Sequence, residues 1–454
     1  MIHNFECNGN HIVLDVNSGA IHCTDKLCYD ILGLYETAAC LPKTPDDAVF
    51  SLPCSKEDVL EAYGELLELQ SRGELFSEDT LSPLAGMLRE APIKSMCLNV
   101  AHDCNLRCDY CFASKGDFGK GKKLMPLAVG RAAIDFLLAH SGTRRNLEVD
   151  FFGGEPLMNI GAVKDIVRYA RSRERDMCKR FRFTITTNGL LLNTDTIDFI
   201  NSEMSNVVLS LDGRPAVHDK FRKTISGHGS HHIITEKFKE LLNRRGYRDY
   251  YVRGTYTREN LDFTNDVLWL YGQGFDQISL EPVVSDENLP YAIRESDLPE
   301  IFAEYEKLTQ TLLELRQQQK SATGQKPLNF FHFKLDLANG PCAVRRLRGC
   351  SSGNEYIAVT PEGDIYPCHQ FVGQDEWQMG NVLTGAFDAK TKETFAEVSI
   401  YTKEACTACW AKFFCSGGCN ANNHLYQGSI LTPHPLTCSL EKKRLECAVG
   451  LALP

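Results

Sequence analysis

The sequence predicts an α/β protein, a partial (β/α)6 barrel with a smaller domain on either side. Three observations carry this. Strand and helix patterns alternate about six times over residues 95–320. The first 90 residues are acidic, with 16 Asp/Glu against 5 Lys/Arg, while the rest of the 454-residue chain is near neutral. Nine of the 19 cysteines fall within residues 342–454. Apolar residues at 43% and charged residues at 24% fit a globular protein and exclude wholesale disorder.

Residues 1–90 read as a winged-helix-like α+β module. Residues 11–15 and 20–23 are apolar-rich strands around a turn at Asn17-Ser18-Gly19. Asp25 caps a helix to about Tyr35, with Leu27, Cys28, Ile31, Leu32 and Leu34 available to its buried side. Ser55 with Asp58 is a capping-box pattern that opens a second helix, and Gly73 ends it. A short final strand is expected after that. A net charge of −11 makes the module a poor partner for DNA. The edge of such a sheet can instead take an added peptide strand.

Residues 91–320 form the expected barrel. Strands are placed at 97–101, 147–151, 181–186, 207–211, 250–256 and 277–281, with helices at 127–140 and 162–177 among those between them and a last helix at 298–319. Parallel strands joined by helices carry their chemistry at the C-terminal strand ends. Residues 321–349, with Gly324, Pro327, Gly340 and Pro341, read as a linker. Residues 350–454 show short strands, loops and little periodic apolar content, so bound metal is expected to help hold them.

The first residues lack a basic and an apolar signal region, and no apolar run approaches ~18 residues, so a cytoplasmic protein is expected. In that compartment a high cysteine count speaks for metal binding or chemistry rather than a disulfide scaffold.

The motifs follow the strand ends. Cys104-Asn-Leu-Arg-Cys108-Asp-Tyr-Cys111 is a C-x3-C-x2-C run just past the first strand. Three thiolates so spaced can hold three irons of a cubane and leave the fourth iron open to a ligand. A zinc site and unliganded buried thiols are the alternatives. Gly153-Gly154-Glu155-Pro156 follows the second strand. Its glycines let backbone approach a ligand, and Glu155 offers an acceptor for an ammonium group. Thr186-Thr187-Asn188-Gly189 follows the third strand and Ser210-Leu-Asp212-Gly213 the fourth. Arg222, with Arg253 as a rival, can bind a carboxylate bidentately. Asp212 and Tyr256 are conceivable general bases by position.

In the C-terminal segment Cys350 is followed by Gly363 and Cys368, then by Cys406-x2-Cys409-x5-Cys415-x3-Cys419 and by Cys438. A zinc ribbon would need paired C-x2-C knuckles, and a single one is present. Cys7, Cys23, Cys28, Cys40 and Cys54 have no ligand spacing and read as small hydrophobes, as do Cys97, Cys178 and Cys447. The basic stretch 164–182 reads as a solvated helix face, with contact to the acidic module as the alternative.

The C-x3-C-x2-C run, with Tyr110 before its last cysteine, resembles the signature of radical SAM enzymes. The later cysteines resemble the seven-cysteine SPASM pattern of peptide-modifying members. The resemblance implies a [4Fe-4S] cluster on Cys104, Cys108 and Cys111 whose open iron takes S-adenosylmethionine. It implies a pocket for that cofactor from Tyr110, Gly153, Gly154, Glu155, Thr187, Ser210 and Arg222, with Tyr110 bordering the adenine. It also implies two auxiliary [4Fe-4S] clusters, making three. One lies on Cys406, Cys409, Cys415 and Cys438. The other lies on Cys350, Cys368 and Cys419, with Cys342 or a substrate thiolate as its fourth ligand.

The layout is most similar to the thioether-forming SCIFF peptide maturases. This implies a recognition domain over 1–90 that grips the leader of a ribosomally made Cys-rich peptide, a barrel over 91–320, a bridge over 321–349 and a SPASM domain over 350–454. The implied activity joins a cysteine sulfur to a threonine carbon, with an external electron donor such as flavodoxin or ferredoxin. A carbon–carbon crosslinking maturase, a sulfatase-maturase-like oxidation of Cys or Ser, and a non-enzymatic zinc or iron–sulfur regulator remain as alternatives.

Overall fold

A computed structural model of the chain describes residues 1–87, 91–246, 248–319, 326–337 and 343–453. Cys342 lies outside the described residues.

The N-terminal module is a three-stranded antiparallel sheet, β1 (Ile2–Cys7), β2 (Asn10–Asp15) and β3 (Ile21–Thr24), followed by the helices α1 (Lys26–Leu34), α2 (Asp47–Phe50) and α3 (Lys56–Ser71). Asp25 caps α1 through its side chain, and Ser55 caps α3 by accepting from the Asp58 N–H. Among the described residues the expected final strand is not formed. Leu75 and Phe76 instead turn into the helix core, and the strand that sequence reading missed lies at the other end, in β1. Its short alternation of buried Ile2, Phe5 and Cys7 is interrupted by polar residues.

The barrel strands are β4 (Ser95–His102), β5 (Asn146–Gly153), β6 (Arg180–Thr187), β7 (Asn206–Ser210), β8 (Asp249–Tyr256) and β9 (Gln277–Pro282). They are parallel, each paired with the next, and lie within two residues of the expected bounds. In β5 and β6 every second side chain (Leu147, Val149 and Phe151, then Phe181, Phe183 and Ile185) is buried in the main apolar core. The alternate positions Phe152, Thr186 and Ser210 line the interior cavity.

The sheet does not stop at the barrel. Asn329–Phe330 adds a parallel strand beyond β9, so the expected linker partly continues the sheet edge. On the opposite margin β11 (Tyr356–Val359), from the cysteine-rich domain, pairs in parallel with β4, counting Asn329–Phe330 as β10. This domain also ends in a helix, Pro435–Ala452, packed along the barrel's last helix, Leu298–Gln319. Residues 350–454 therefore carry more regular structure than their sequence suggests. A four-residue strand has no readable period. The helix has no single apolar stripe, because it meets the barrel on one side and the N-terminal module on the other.

That second contact is close. A side chain at Gly450 would stand 2.4 Å from Cys7 Sγ, and His3 stacks on Trp410 at 3.9 Å between centroids. Val16 shares an apolar cluster with Leu347, Ile400, Cys406 and Phe413. Asp79 accepts from the Tyr401 hydroxyl at 2.7 Å and pairs with Lys412 at 3.3 Å. The basic stretch 164–182 plays no part here. Arg171 pairs with Glu174 and Glu203, and Arg173 faces Asp135. Among the described residues no helix is long and apolar enough to cross a membrane.

Candidate functional site

A cavity of about 530 Å³ opens at the C-terminal ends of the barrel strands. It touches Cys104, Cys108 and Cys111 on one side and Cys415, Cys419 and Cys438 on the other.

The cysteine loop is fixed by backbone. Gly154 N–H donates to Ala101 O at 2.8 Å and Glu155 N–H to Asp103 O at 2.9 Å. A Cβ at Gly153, whose φ is +128°, would sit 2.3 Å from Ala101 O, and one at Gly154 would sit 2.2 Å from Asp103 O. Both glycines pack on the loop that carries Cys104, and both also line the cavity.

Cys108 lies on a short strand, Leu106–Cys108, paired antiparallel with Arg222–Thr224, and Arg222 stands directly opposite Cys108. Burial, then the Glu155 carboxylate, pushes the Cys104 thiol up to about 12. Burial does the same to Cys108, to about 12, against the opposing pull of Arg222. Buried thiols ionise here when a bound cation replaces their protons. Leu106 N–H at 3.4 Å and Asn188 Nδ2 at 3.6 Å already point at Cys104 Sγ as donors to a thiolate. Among the described residues no three His, Cys, Asp or Glu side chains converge on a single-ion position. A cubane asks for a different arrangement, since each thiolate binds its own iron.

Glu155 is fully buried. It accepts from Leu157 N–H at 3.0 Å, Thr187 Oγ1 at 2.8 Å and Asn188 N–H at 2.7 Å. Burial nevertheless raises its carboxyl to about 7, and among the described residues no cation pairs with it. Thr187, expected as a pocket residue, therefore orients Glu155. Asn188, quoted in its motif but not singled out, touches both Glu155 and Cys104.

Arg222 donates through Nε to Asp212 at 2.9 Å, and its guanidinium lies 5.5 Å from the Tyr110 ring centroid. Asp212 also accepts from the Tyr110 hydroxyl and, at 2.9 Å, from Thr255 N–H. Burial alone would raise Asp212, but Arg222 holds it below the usual carboxylate range. Asp212 is thus a clamp on Arg222 and not a base. Tyr256 is buried away from the cavity with its hydroxyl on Tyr305 at 3.0 Å, so it is not a base either. Ser210 lines the cavity as expected. Arg253 lines it too, 3.8 Å from Glu281.

Sequence reading missed Glu281 and Arg444. Burial works against Glu281 ionising, yet His332, Arg444 and Arg253 hold it at about 2. Its place at the end of β9 was a usable signal. Arg444, on the last helix, had none.

The seven later cysteines sort by proximity. Cys368 feels Cys419 and Cys350, whereas Cys406 feels Cys409 and Cys438, and Cys415 feels Cys438 and Cys406. Cys447 is buried against Cys7.

Two family models match the chain. One, described as a 4Fe-4S single cluster domain, covers residues 95–234. The other, SPASM, an iron-sulfur cluster-binding domain, covers residues 350–410. In these two matches and in its fold the chain is similar to radical SAM/SPASM enzymes. The cysteine-type anaerobic sulfatase-maturating enzyme of Clostridium novyi is 26% identical to this chain over 341 residues, 70% of this chain and 86% of that one. The radical SAM cyclopropyl synthase TigE of Paramaledivibacter caminithermalis is 21% identical over 77% of this chain and 72% of its own. In fold, native anSMEcpe with bound AdoMet matches with a TM-score of 0.65 at 18% identity, covering 79% of this chain and 97% of its own. Streptococcus suis SuiB bound to S-adenosylmethionine matches with a TM-score of 0.53 at 16% identity, covering 96% and 98%. The two family models describe iron–sulfur cluster binding, and both of these similar structures hold S-adenosylmethionine.

Proposed function

We propose that this chain is a peptide maturase that joins a cysteine sulfur to a threonine carbon in a ribosomal Cys-rich precursor. The observation that carries the reading is the single cavity that reaches both Cys104–Cys108–Cys111 and Cys415–Cys419–Cys438. Cys104, Cys108 and Cys111 hold the catalytic cluster, Glu155 takes the cofactor's ammonium and Arg222 its carboxylate. When bound there, the reduced cluster and S-adenosylmethionine supply a hydrogen-abstracting 5′-deoxyadenosyl radical. The crosslink removes two hydrogens from the peptide, one as an atom and one as a thiol proton, and leaves one electron. Cys350, Cys368 and Cys419, with Cys406, Cys409, Cys415 and Cys438 behind them, hold two auxiliary clusters that accept it. The N-terminal module receives the leader on β3, which among the described residues pairs with β2 alone. An external flavodoxin- or ferredoxin-type donor supplies the starting electron.

The affinity for S-adenosylmethionine should depend on pH. Glu155 titrates near about 7 without a cation, and its protonated form offers an ammonium no charge. Binding measured by calorimetry is expected to strengthen as pH rises from 6 to 8 and to release a proton at pH 6. The same affinity at both pH values would remove Glu155 as the ammonium partner.

Mass spectrometry tests the activity. Anaerobic incubation of reconstituted protein with S-adenosylmethionine, reductant and the precursor peptide should remove two hydrogens and block alkylation of one cysteine. The same peptide without its leader should stay unmodified. Loss of two hydrogens with every cysteine still alkylatable points to a carbon–carbon crosslink. A second reading, oxidation of a Cys or Ser in a protein, is favoured by the 26% identity to a sulfatase-maturating enzyme. Conversion of a cysteine to an aldehyde, with no crosslink, would support it.

A further inference from the structure

Lys403 is 1% exposed, and among the described residues no carboxylate lies within ion-pair distance of it. A buried ammonium without a counter-charge is strongly disfavoured. Its Nζ donates to Gly417 O at 2.7 Å and Asn420 Oδ1 at 2.8 Å, two neutral groups.

The leading electrostatic influences on Lys403 come from Cys406, Cys415, Cys419 and Cys350, two from each C-terminal group. Its contacts repeat the pattern. Gly417 lies on the bend between Cys415 and Cys419. A side chain there would stand 3.1 Å from Lys403 Cδ, so the glycine makes room for the lysine stem. Asn420, next to Cys419, donates to Ser352 Oγ at 3.2 Å, which ties it to the Cys350 loop. The backbone carbonyl of Lys403 accepts from Cys406 N–H at 2.8 Å. One side chain is therefore braced against the segments that carry ligands of both groups.

We propose that Lys403 is a positioning residue whose ammonium lies between the two auxiliary iron–sulfur centres and raises the reduction potential of both. The inference rests on the reading that these seven cysteines hold clusters. Loaded with iron, each group is anionic, and its negative charge grows by one on reduction. A fixed cation between them neutralises part of that charge in a medium of low dielectric and favours the reduced state of either. It also screens the repulsion between the two, so that one can take an electron while the other is reduced. This suits a pair of centres that must accept the electron left by each turnover.

The test uses the anaerobically reconstituted full-length protein, with iron content and electron paramagnetic resonance redox titration as readouts. Lys403→Met keeps the stem and removes the charge. It is expected to keep its iron and to shift at least one auxiliary centre to lower potential by tenfold or more in its reduction equilibrium, about 59 mV for one electron. Lys403→Arg is expected to stay near wild type. Full iron with unchanged potentials in Lys403→Met would overturn the proposal. If Lys403→Met loses iron while Lys403→Arg keeps it, the requirement for charge stands. If both lose iron equally, Lys403 is a filler and the proposal fails. Wild-type protein with about four irons instead of about twelve would overturn the cluster reading itself, and the proposal with it.

Discussion

Replacing Cys104 with alanine is expected to stop reductive cleavage of S-adenosylmethionine altogether. Cys104 is the most enclosed of the three loop cysteines. The Gly153-Gly154 backbone packs on its loop, Leu106 N–H and Asn188 point at its sulfur, and Glu155 lies close by. Alanine removes one ligand of three while leaving these backbone contacts in place. The variant should therefore fold, lose about four irons of the full complement and keep those of the C-terminal groups. Deoxyadenosine measured after dithionite reduction should fall to background. Production at the wild-type rate would sink the assignment of the triad.

The second large effect is expected at Arg222. Its Nε is committed to Asp212, which fixes the guanidinium over Tyr110 and leaves its remaining donors toward the cavity. Arg222→Met should weaken S-adenosylmethionine binding by about ten- to a hundredfold, the worth of a charge-assisted pair of about 1.5–3 kcal/mol. It also strands Asp212 as a buried unpaired carboxylate, which costs about 3–5 kcal/mol of stability. A fall in Tm should accompany the loss of affinity. Asp212→Asn separates the two effects. It removes the buried charge, keeps an acceptor for Tyr110 and Thr255, and should lower affinity less than Arg222→Met does. Unchanged affinity in Arg222→Met would transfer carboxylate recognition to Arg253.

The parts of this protein legible in its sequence are the parts written locally. Each barrel strand carries its own alternation, and Cys104–Cys111, Gly153–Glu155 and Thr187–Asn188 each occupy a few consecutive residues at a strand end. Partnerships between distant segments were not legible. Nothing near Cys108 announces that Arg222 will pair opposite it, and nothing near Asp212 announces that it will be consumed in holding that arginine. Gly153 and Gly154 were visible as motif residues, but their packing on Ala101 and Asp103 was not. The C-terminal domain was readable through its cysteine spacing and unreadable in its helix. The apolar residues of Pro435–Ala452 serve two partners, and their pattern answers to neither alone.

The parallel pairing of Ser95–Leu98 with Tyr356–Val359 has a consequence for how the chain is made. Synthesis runs from the N-terminus, so β4 leaves the ribosome long before β11 exists. Until then the first strand of the barrel carries a row of unpaired N–H and C=O groups along one side, of the kind that recruits strands from other chains. Over that interval the open edge is exposed to pairing with strands of other chains. A shortened protein that ends before residue 356 would keep the exposed edge permanently and form assemblies through it, whatever the state of its cysteines.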